Sequence, residues 1–247
     1  MPVRAITFDF WFTLFREANG VLRQRLRAEA FSRATGVPVD EVQQTLDRIA
    51  AIFRRYHIEN QRTLGPRDAV RMAAEHFKVA VDPETAEALA SAFASAVLPY
   101  PPEPVEGALD AVRAAAEYGP VGIVSDTGMS PGRVLRMILD RHGFTPHVAC
   151  SVFSDEVGVS KPQRPMFDAC AGKLQTPLHQ ILHIGDTEAT DISGAHAAGA
   201  KAALFTGANP VDRDRTVADF VFAKWSDFID VLPGIMSPAP TSGRVPR

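Results

Sequence analysis

A repeating alternation constrains this chain more than any other feature. Short apolar runs recur, and a helical pattern follows each of them. The runs are VRAITFDF (3–10), PVGIVSD (120–126), HVACSVFS (147–154), ILHIGD (181–186) and KAALFT (201–206), with a weaker DFVFA (219–223). Near-continuous apolar strands separated by helices imply a parallel sheet covered on both faces, because the crossover helices bury both sides. Between them, Val105, Leu109, Val112 and Ala116 recur at helical spacing, as do Val134 and Ile138 with Leu135 and Leu139. Gly199 is placed to end the helix after GDTEATD in the left-handed conformation. The expected fold class is α/β, a doubly wound parallel sheet.

One interval breaks the rhythm. From about Arg16 to Leu98 there is no convincing strand, only helical stripes. Val42, Leu46, Ile49 and Phe53 form one, for which Asp40 with Gln43 three residues on reads as the cap. Ala86, Leu89, Phe93 and Val97 form another, after Asp82-Pro83, a cap followed by proline at the first helical position. This is a helical insertion, returned to the sheet by the stiff linker LPYPPEP (98–104). The Pro/Ser-rich SPAPTSGRVPR (237–247) is expected to be disordered.

The bulk properties narrow the function classes. At 247 residues, with 46% hydrophobic and 22% charged content, the chain is long enough for one large α/β domain or for a core domain with a smaller second unit. A formal charge of −3 provides no general footprint for nucleic acid or an anionic membrane. Cys150 and Cys170 have neither metal-type spacing nor a partner motif, so a disulfide framework is not expected. With no signal-peptide pattern in MPVRAITF and no run of transmembrane length, a cytoplasmic location is expected.

In a doubly wound sheet, ligands bind outside the carboxyl ends of the strands. The unusual polar residues lie there: Asp9 after the first strand, Ser125 and Asp126 after the second, Lys161 shortly after the third and Asp186 after the fourth. Taken singly, each has a bland reading. Strand-end aspartates cap turns, loop serines are common, and GDTEATD could start a helix. Their order along the chain is what carries the signal. His183 reads as a packed strand residue. The arginine-bearing runs at 23–33 and 53–57 read as solvated helix faces, from which one or two side chains could reach an anionic substrate.

FDFWFTLF, IVSD, GVSKPQRPMF and HIGDTEATD, in this order, resemble the four motifs of the haloacid dehalogenase superfamily, a group dominated by phosphatases. The resemblance implies a Rossmann-like core over 1–15 and 100–236 and a helical cap over 16–99. It implies Asp9 as the nucleophile, with Ser125 and Lys161 as its catalytic partners. Ser125, Asp126, Lys161 and Thr13 would hold the phosphate of a small-molecule ester. Asp9, the backbone carbonyl of Trp11, Asp186 and Asp191 would serve Mg²⁺, with Asp191 in the outer shell. Most phosphatases of the group carry an aspartate where Trp11 stands, as proton donor, whereas its dehalogenases carry an aromatic residue there. The alternatives are therefore a metal-independent 2-haloacid dehalogenase and a phosphate-ligand binding protein with little turnover.

Overall fold

The computed structural model describes residues 2–236. In chain order its elements are β1 (Ala5–Phe8), β2 (Phe15–Arg16), α1 (Gly20–Thr35), α2 (Val39–Asn60), α3 (Pro66–Phe77) and α4 (Pro83–Ser95). Next come β3 (Glu103–Pro104), α5 (Ala108–Tyr118), β4 (Val121–Ser125), α6 (Gly132–Arg141), β5 (Cys150–Phe153), α7 (Ser154–Val157) and α8 (Arg164–Leu174). The last are β6 (Ile181–Gly185), α9 (Ser193–Ala198), β7 (Lys201–Phe205), β8 (Phe220–Phe222) and α10 (Trp225–Ile235). Each apolar run of the sequence contributes a strand. The tail at 237–247 lies outside the described residues.

The strands β5-β4-β1-β6-β7-β8 form one sheet in that order, every pairing parallel. Every residue of β1 is buried, which is why its sequence is apolar without alternation. The chain winds from β1 outward to β4 and β5, then returns to β6 on the other side of β1. That reversal opens a crevice beyond the carboxyl ends of β1 and β6. Asp9 N–H donates to Ile184 O at 2.8 Å, so the ladder runs one residue past β1 and holds Asp9 at the crevice floor.

Each face of the sheet has its own apolar cluster. On one, Phe8, Phe205, Trp225 and Phe228 pack together, Trp225 stacked on Phe205 at 4.2 Å between centroids. On the other, Phe167, Cys170 and Ala195 from α8 and α9 cover Val124, Val152 and Leu204. Val105 is not part of the helix predicted to contain it. It precedes α5, its N–H bonded to Leu14 O, and the buried face of α5 is Ala108, Ala111, Val112 and Ala115. The thiols of Cys150 and Cys170, 20 residues apart, stand 3.5 Å from one another and are free.

The insertion packs α1 to α4 around a separate cluster that includes Phe31, Val42, Leu46, Ile49, Val70 and Phe93. Asp82 caps α4 as expected, accepting from the N–H groups of Glu84 and Thr85, both at 3.0 Å. Asp40 does not cap α2. Pro38 precedes the helix and its carbonyl accepts from Glu41 and Val42, so α2 starts earlier and Asp40, inside its first turn, accepts from Arg25 at 2.7 Å. The chain enters and leaves the insertion through β2 and β3, an antiparallel pair with Phe15 opposite Pro104.

Leu46 is fully buried in the insertion's cluster. Leu46→Ala should cost about 2–5 kcal/mol of local stability. Hydrogen exchange should then quicken through α1 to α4 while β1, β4 and β6 keep their protection. Equal loss in both regions would show that insertion and sheet open as one unit.

Candidate active site

Lys161 organises the crevice. It is 2% exposed, and its Nζ donates to Asp9 Oδ1 at 2.7 Å and to Asp191 Oδ1 at 2.5 Å. Its backbone N–H donates to Asp126 Oδ1 at 3.0 Å. Asp191 sits in a π-helical turn, Glu188–Ile192, that follows β6. Its two oxygens also accept from His183 Nε2 at 3.0 Å and Thr187 N–H at 3.1 Å. Asp186 Oδ2 accepts from Asn209 Nδ2 at 2.6 Å.

His183 is the packed strand residue expected, fully buried and edge-on to Phe167 at 5.3 Å. It has a second task that its apolar surroundings concealed. Burial holds its pKa below the usual imidazole value, so the ring is neutral. Nδ1 then accepts from Thr7 Oγ1 at 2.9 Å, leaving the Nε2 proton for Asp191. Asn209 was missed for a different reason: it stands in a loop after β7, far from any motif.

The electrostatics follow from three carboxylates meeting one buried ammonium. Burial raises the Asp9 carboxyl to about 8, against the opposing pull of Lys161 and with the charges of Asp191 and Asp186 adding to the rise. Burial and the Asp191 charge raise Asp186 to about 6. Burial would raise Asp191 too, but Lys161 and the His183 hydrogen bond hold it well below the usual carboxylate range. Lys161 is itself held above its ordinary value, Asp191 and Asp9 outweighing burial. The crevice is therefore short of positive charge at neutral pH.

A cavity of about 500 Å³ lies over this network. Six of the sequence-predicted residues line it together: Asp9, Trp11, Asp126, Lys161, Asp186 and Asp191. Ser125 and Thr13 are not on its wall. Ser125 is fully buried with its hydroxyl donating to Asp126 O at 3.3 Å, and the buried Thr13 hydroxyl has no hydrogen-bond partner. The roof comes from α2, through Ala50, Phe53, Arg54, His57 and Ile58. His57 Nε2 reaches to 3.4 Å from Asp126 Oδ2 and so joins insertion to sheet. Two arginines expected on solvated faces are buried instead, Arg23 at 3% exposure and Arg27 at 6%. Phe12, also on the wall, has a φ of 55°, a left-handed conformation that costs a side-chain-bearing residue on the order of 1 kcal/mol.

A family model described as haloacid dehalogenase-like hydrolase matches residues 3–199. Over 97 residues the chain is 33% identical to pyrimidine 5'-nucleotidase YjjG of Escherichia coli (strain K12), spanning 39% of this chain and 42% of that protein. Over 67 residues it is 34% identical to ribulose-1,5-bisphosphate 5-phosphatase of Halopiger xanaduensis, spanning 27% of this chain and 28% of that protein. The matched stretch is thus less than half the length of either relative. Among solved structures, a HAD phosphatase from Thermococcus onnurineus superimposes with a TM-score of 0.69 at 17% identity, covering 95% of this chain and 100% of that one. L-2-haloacid dehalogenase from Xanthobacter autotrophicus superimposes with a TM-score of 0.59 at 16% identity, with the same coverage of 95% and 100%. At such identities these structural matches speak for the fold.

The raised Asp186 carboxyl has a measurable consequence. A carboxyl whose pKa rises on folding supports stability below its unfolded value, near 4, and loses that support as pH climbs through about 6. In chelator, Asp186→Asn should therefore match the native protein at pH 4 and exceed it at pH 7.5, by roughly 1–3 kcal/mol. Melting curves across this range check it. A gain that is the same at both pH values would remove the charge explanation.

Proposed function

This chain belongs to the haloacid dehalogenase-like hydrolases, and we propose that it is a Mg²⁺-dependent phosphatase of small phosphate esters, acting through a covalent aspartyl phosphate on Asp9. The observation that carries this reading is the pair Asp9 and Asp186, both 5% exposed at the ends of adjacent strands, with carboxyls raised by burial and like charge. One ammonium does not balance such a site, and a hard divalent cation would. Among the described residues, no three His, Cys, Asp or Glu side chains are grouped as a ready-made metal cage. Mg²⁺ needs no such cage: it takes one or two carboxylates and completes its shell with water and phosphate oxygens. Asp9 and Asp186 would hold it, with the Trp11 carbonyl beside them. Asp191, its oxygens already engaged, serves as the anchor of Lys161. When bound, the ion would neutralise the phosphoryl oxygens.

The remaining chemistry falls to the protein's own groups. An Asp9 oxygen attacks phosphorus, the P–O bond to the ester oxygen breaks, and that oxygen leaves with the bonding pair and takes its proton from water, Trp11 having none to give. Water then cleaves the aspartyl phosphate, releasing phosphate and restoring Asp9. Lys161 fixes the Asp9 carboxylate and offsets charge on the anionic intermediate. Phosphate oxygens would be met by Lys161 and by backbone donors near Asp126. The helical insertion would act as a cap, closing over the cavity about the β2–β3 pair and excluding water. A cytoplasmic enzyme with a small-molecule substrate fits the two free thiols and the absence, among the described residues, of a helix long and apolar enough to cross a membrane.

Trp11 favours a second reading. It stands on the cavity wall where most related phosphatases carry a proton donor, and a halide needs none on leaving. A 2-haloacid dehalogenase on Asp9 is therefore the competing activity. It would release halide and ignore chelator.

Asp9→Asn should keep the fold and lose phosphatase turnover, since an amide oxygen is a poor nucleophile. Mg²⁺ should raise the Tm of the native protein and leave Asp186→Asn nearly unmoved. Phosphate release that survives both Asp9→Asn and chelator would end the proposal.

Losing a general acid typically costs about 10²–10⁴ in rate. With Trp11 in place, alkyl phosphates should suffer that loss in full and aryl phosphates far less, so turnover should depend steeply on leaving-group pKa. Trp11→Asp should flatten the dependence across a matched series. If native protein already hydrolyses both kinds equally, His57, the imidazole on the wall, becomes the donor to test.

A further inference from the structure

Next to the cavity over Asp9 lies a second one of about 480 Å³, bordered by α1, α2 and the loop after β4. The two share Trp11, Arg54, Asp126 and Met129 as common walls. What distinguishes the second chamber is Arg23 and Arg27, one turn apart on the same face of α1. Arginine is almost never buried so deeply without a charged partner. Two of them at i and i+4 also repel one another.

Their partners do not balance them. Arg27 spends its hydrogen bonds on neutral oxygens, Phe93 O at 3.0 Å and Gln24 Oε1 at 2.8 Å. Arg23 Nη2 faces Glu17, its one ion-pair partner, whose side chain is 42% exposed. Arg23 also lies over the Trp11 ring, 5.8 Å from its centroid, which fixes the partition between the chambers. Burial lowers both guanidinium pKa values only to about 10, so both stay charged at neutral pH. The chamber's buried charges are thus both cationic, its acids Glu17, Asp47 and Asp126 being more exposed, whereas carboxylates dominate the buried charges around Asp9.

We propose that this chamber is a second anion subsite, in which Arg23 and Arg27 bind a carboxylate or phosphate that the substrate carries in addition to the group presented to Asp9. The inference rests on the reading of Asp9 as the phosphoryl site. A planar guanidinium pair matches a carboxylate or phosphate bidentately, and the burial of both side chains strengthens the match. Glu17 is the internal carboxylate that occupies the subsite until the substrate's anion displaces it. Arg54, exposed and shared by both cavities, lies on the path between them. The substrate class is therefore a small phosphate ester with a second anionic terminus.

Calorimetry with Mg²⁺ and non-hydrolysable phosphonates tests this. The probes are ω-carboxyalkylphosphonates with one to three methylenes, alkane bisphosphonates of the same lengths, and matched alkylphosphonates. At the best length, the dianionic probe should bind about tenfold or more tighter than its alkyl match. The preferred series identifies the second group as carboxylate or phosphate. Arg27→Gln should erase the advantage and leave alkylphosphonate affinity within about twofold. Glu17→Gln, which keeps a side-chain oxygen for Arg23, should enlarge the advantage several-fold. Equal affinity of all three series at every length, or an advantage untouched by both variants, overturns the subsite. If no phosphonate binds at all, the reading of the Asp9 site fails instead. Malonate, which has no phosphorus, then decides the subsite: it should raise the Tm of the native protein and not of Arg27→Gln, and no shift in either overturns it.

Discussion

One buried ammonium holds the crevice together. Lys161 ties the end of β1, through Asp9, to the turn after β6, through Asp191, and its own backbone is tied to the end of β4 through Asp126. Behind it, Asp191 leans on His183 and His183 on Thr7, two residues before Asp9. The polar chain thus starts and finishes on the same strand. Such a circuit is stable only when each member has its partner, since a lone buried charge in low dielectric is costly. It also dictates a glycine. A β-carbon on Gly185 would fall 2.1 Å from Asp191 Cγ, so the π-turn can carry its carboxylate in under the sheet's end only where no side chain intervenes.

The two chambers carry opposite imbalances. Around Asp9, buried carboxylates outnumber the one buried ammonium; in the second chamber the buried charges are the guanidinium groups of Arg23 and Arg27, while the acids Glu17, Asp47 and Asp126 are more exposed. Either arrangement alone weakens the folded state, which is the usual mark of residues kept for what they bind. Trp11 stands between them, apolar on the line where two fields of opposite sign meet.

Much of this was legible in the sequence, for identifiable reasons. The strands announce themselves because β1, β4 and β6 are buried on both faces, so their residues form unbroken apolar runs. The acids at their ends stand out because nothing else polar interrupts those runs. Tertiary contacts hid the rest. His183 in an apolar run reads as packing, and only the sheet shows that its two nitrogens link Thr7 to Asp191. Arg23 and Arg27 fall at polar positions of α1 and become buried only because the chain brings the Phe93 carbonyl and the loop after β4 against them. Asp40 failed as a cap because Pro38, a stronger punctuation mark, had already started the helix.

The β2–β3 pair sets the insertion's relation to the sheet in another respect. Arg16 and Glu103 face each other across it, about 5 Å apart as strand neighbours are, so the excursion through residues 17–102 begins and ends at nearly one point. For the sheet, everything between those residues is a single closed loop. Lengthening a closed loop costs only about 0.6 kcal/mol of closure entropy for each doubling. The helices can therefore be enlarged, trimmed or exchanged with little penalty to the strands that carry Asp9, Lys161 and Asp186. Ancestry could vary the roof and its arginines independently of the floor, as a cassette with adjoining ends.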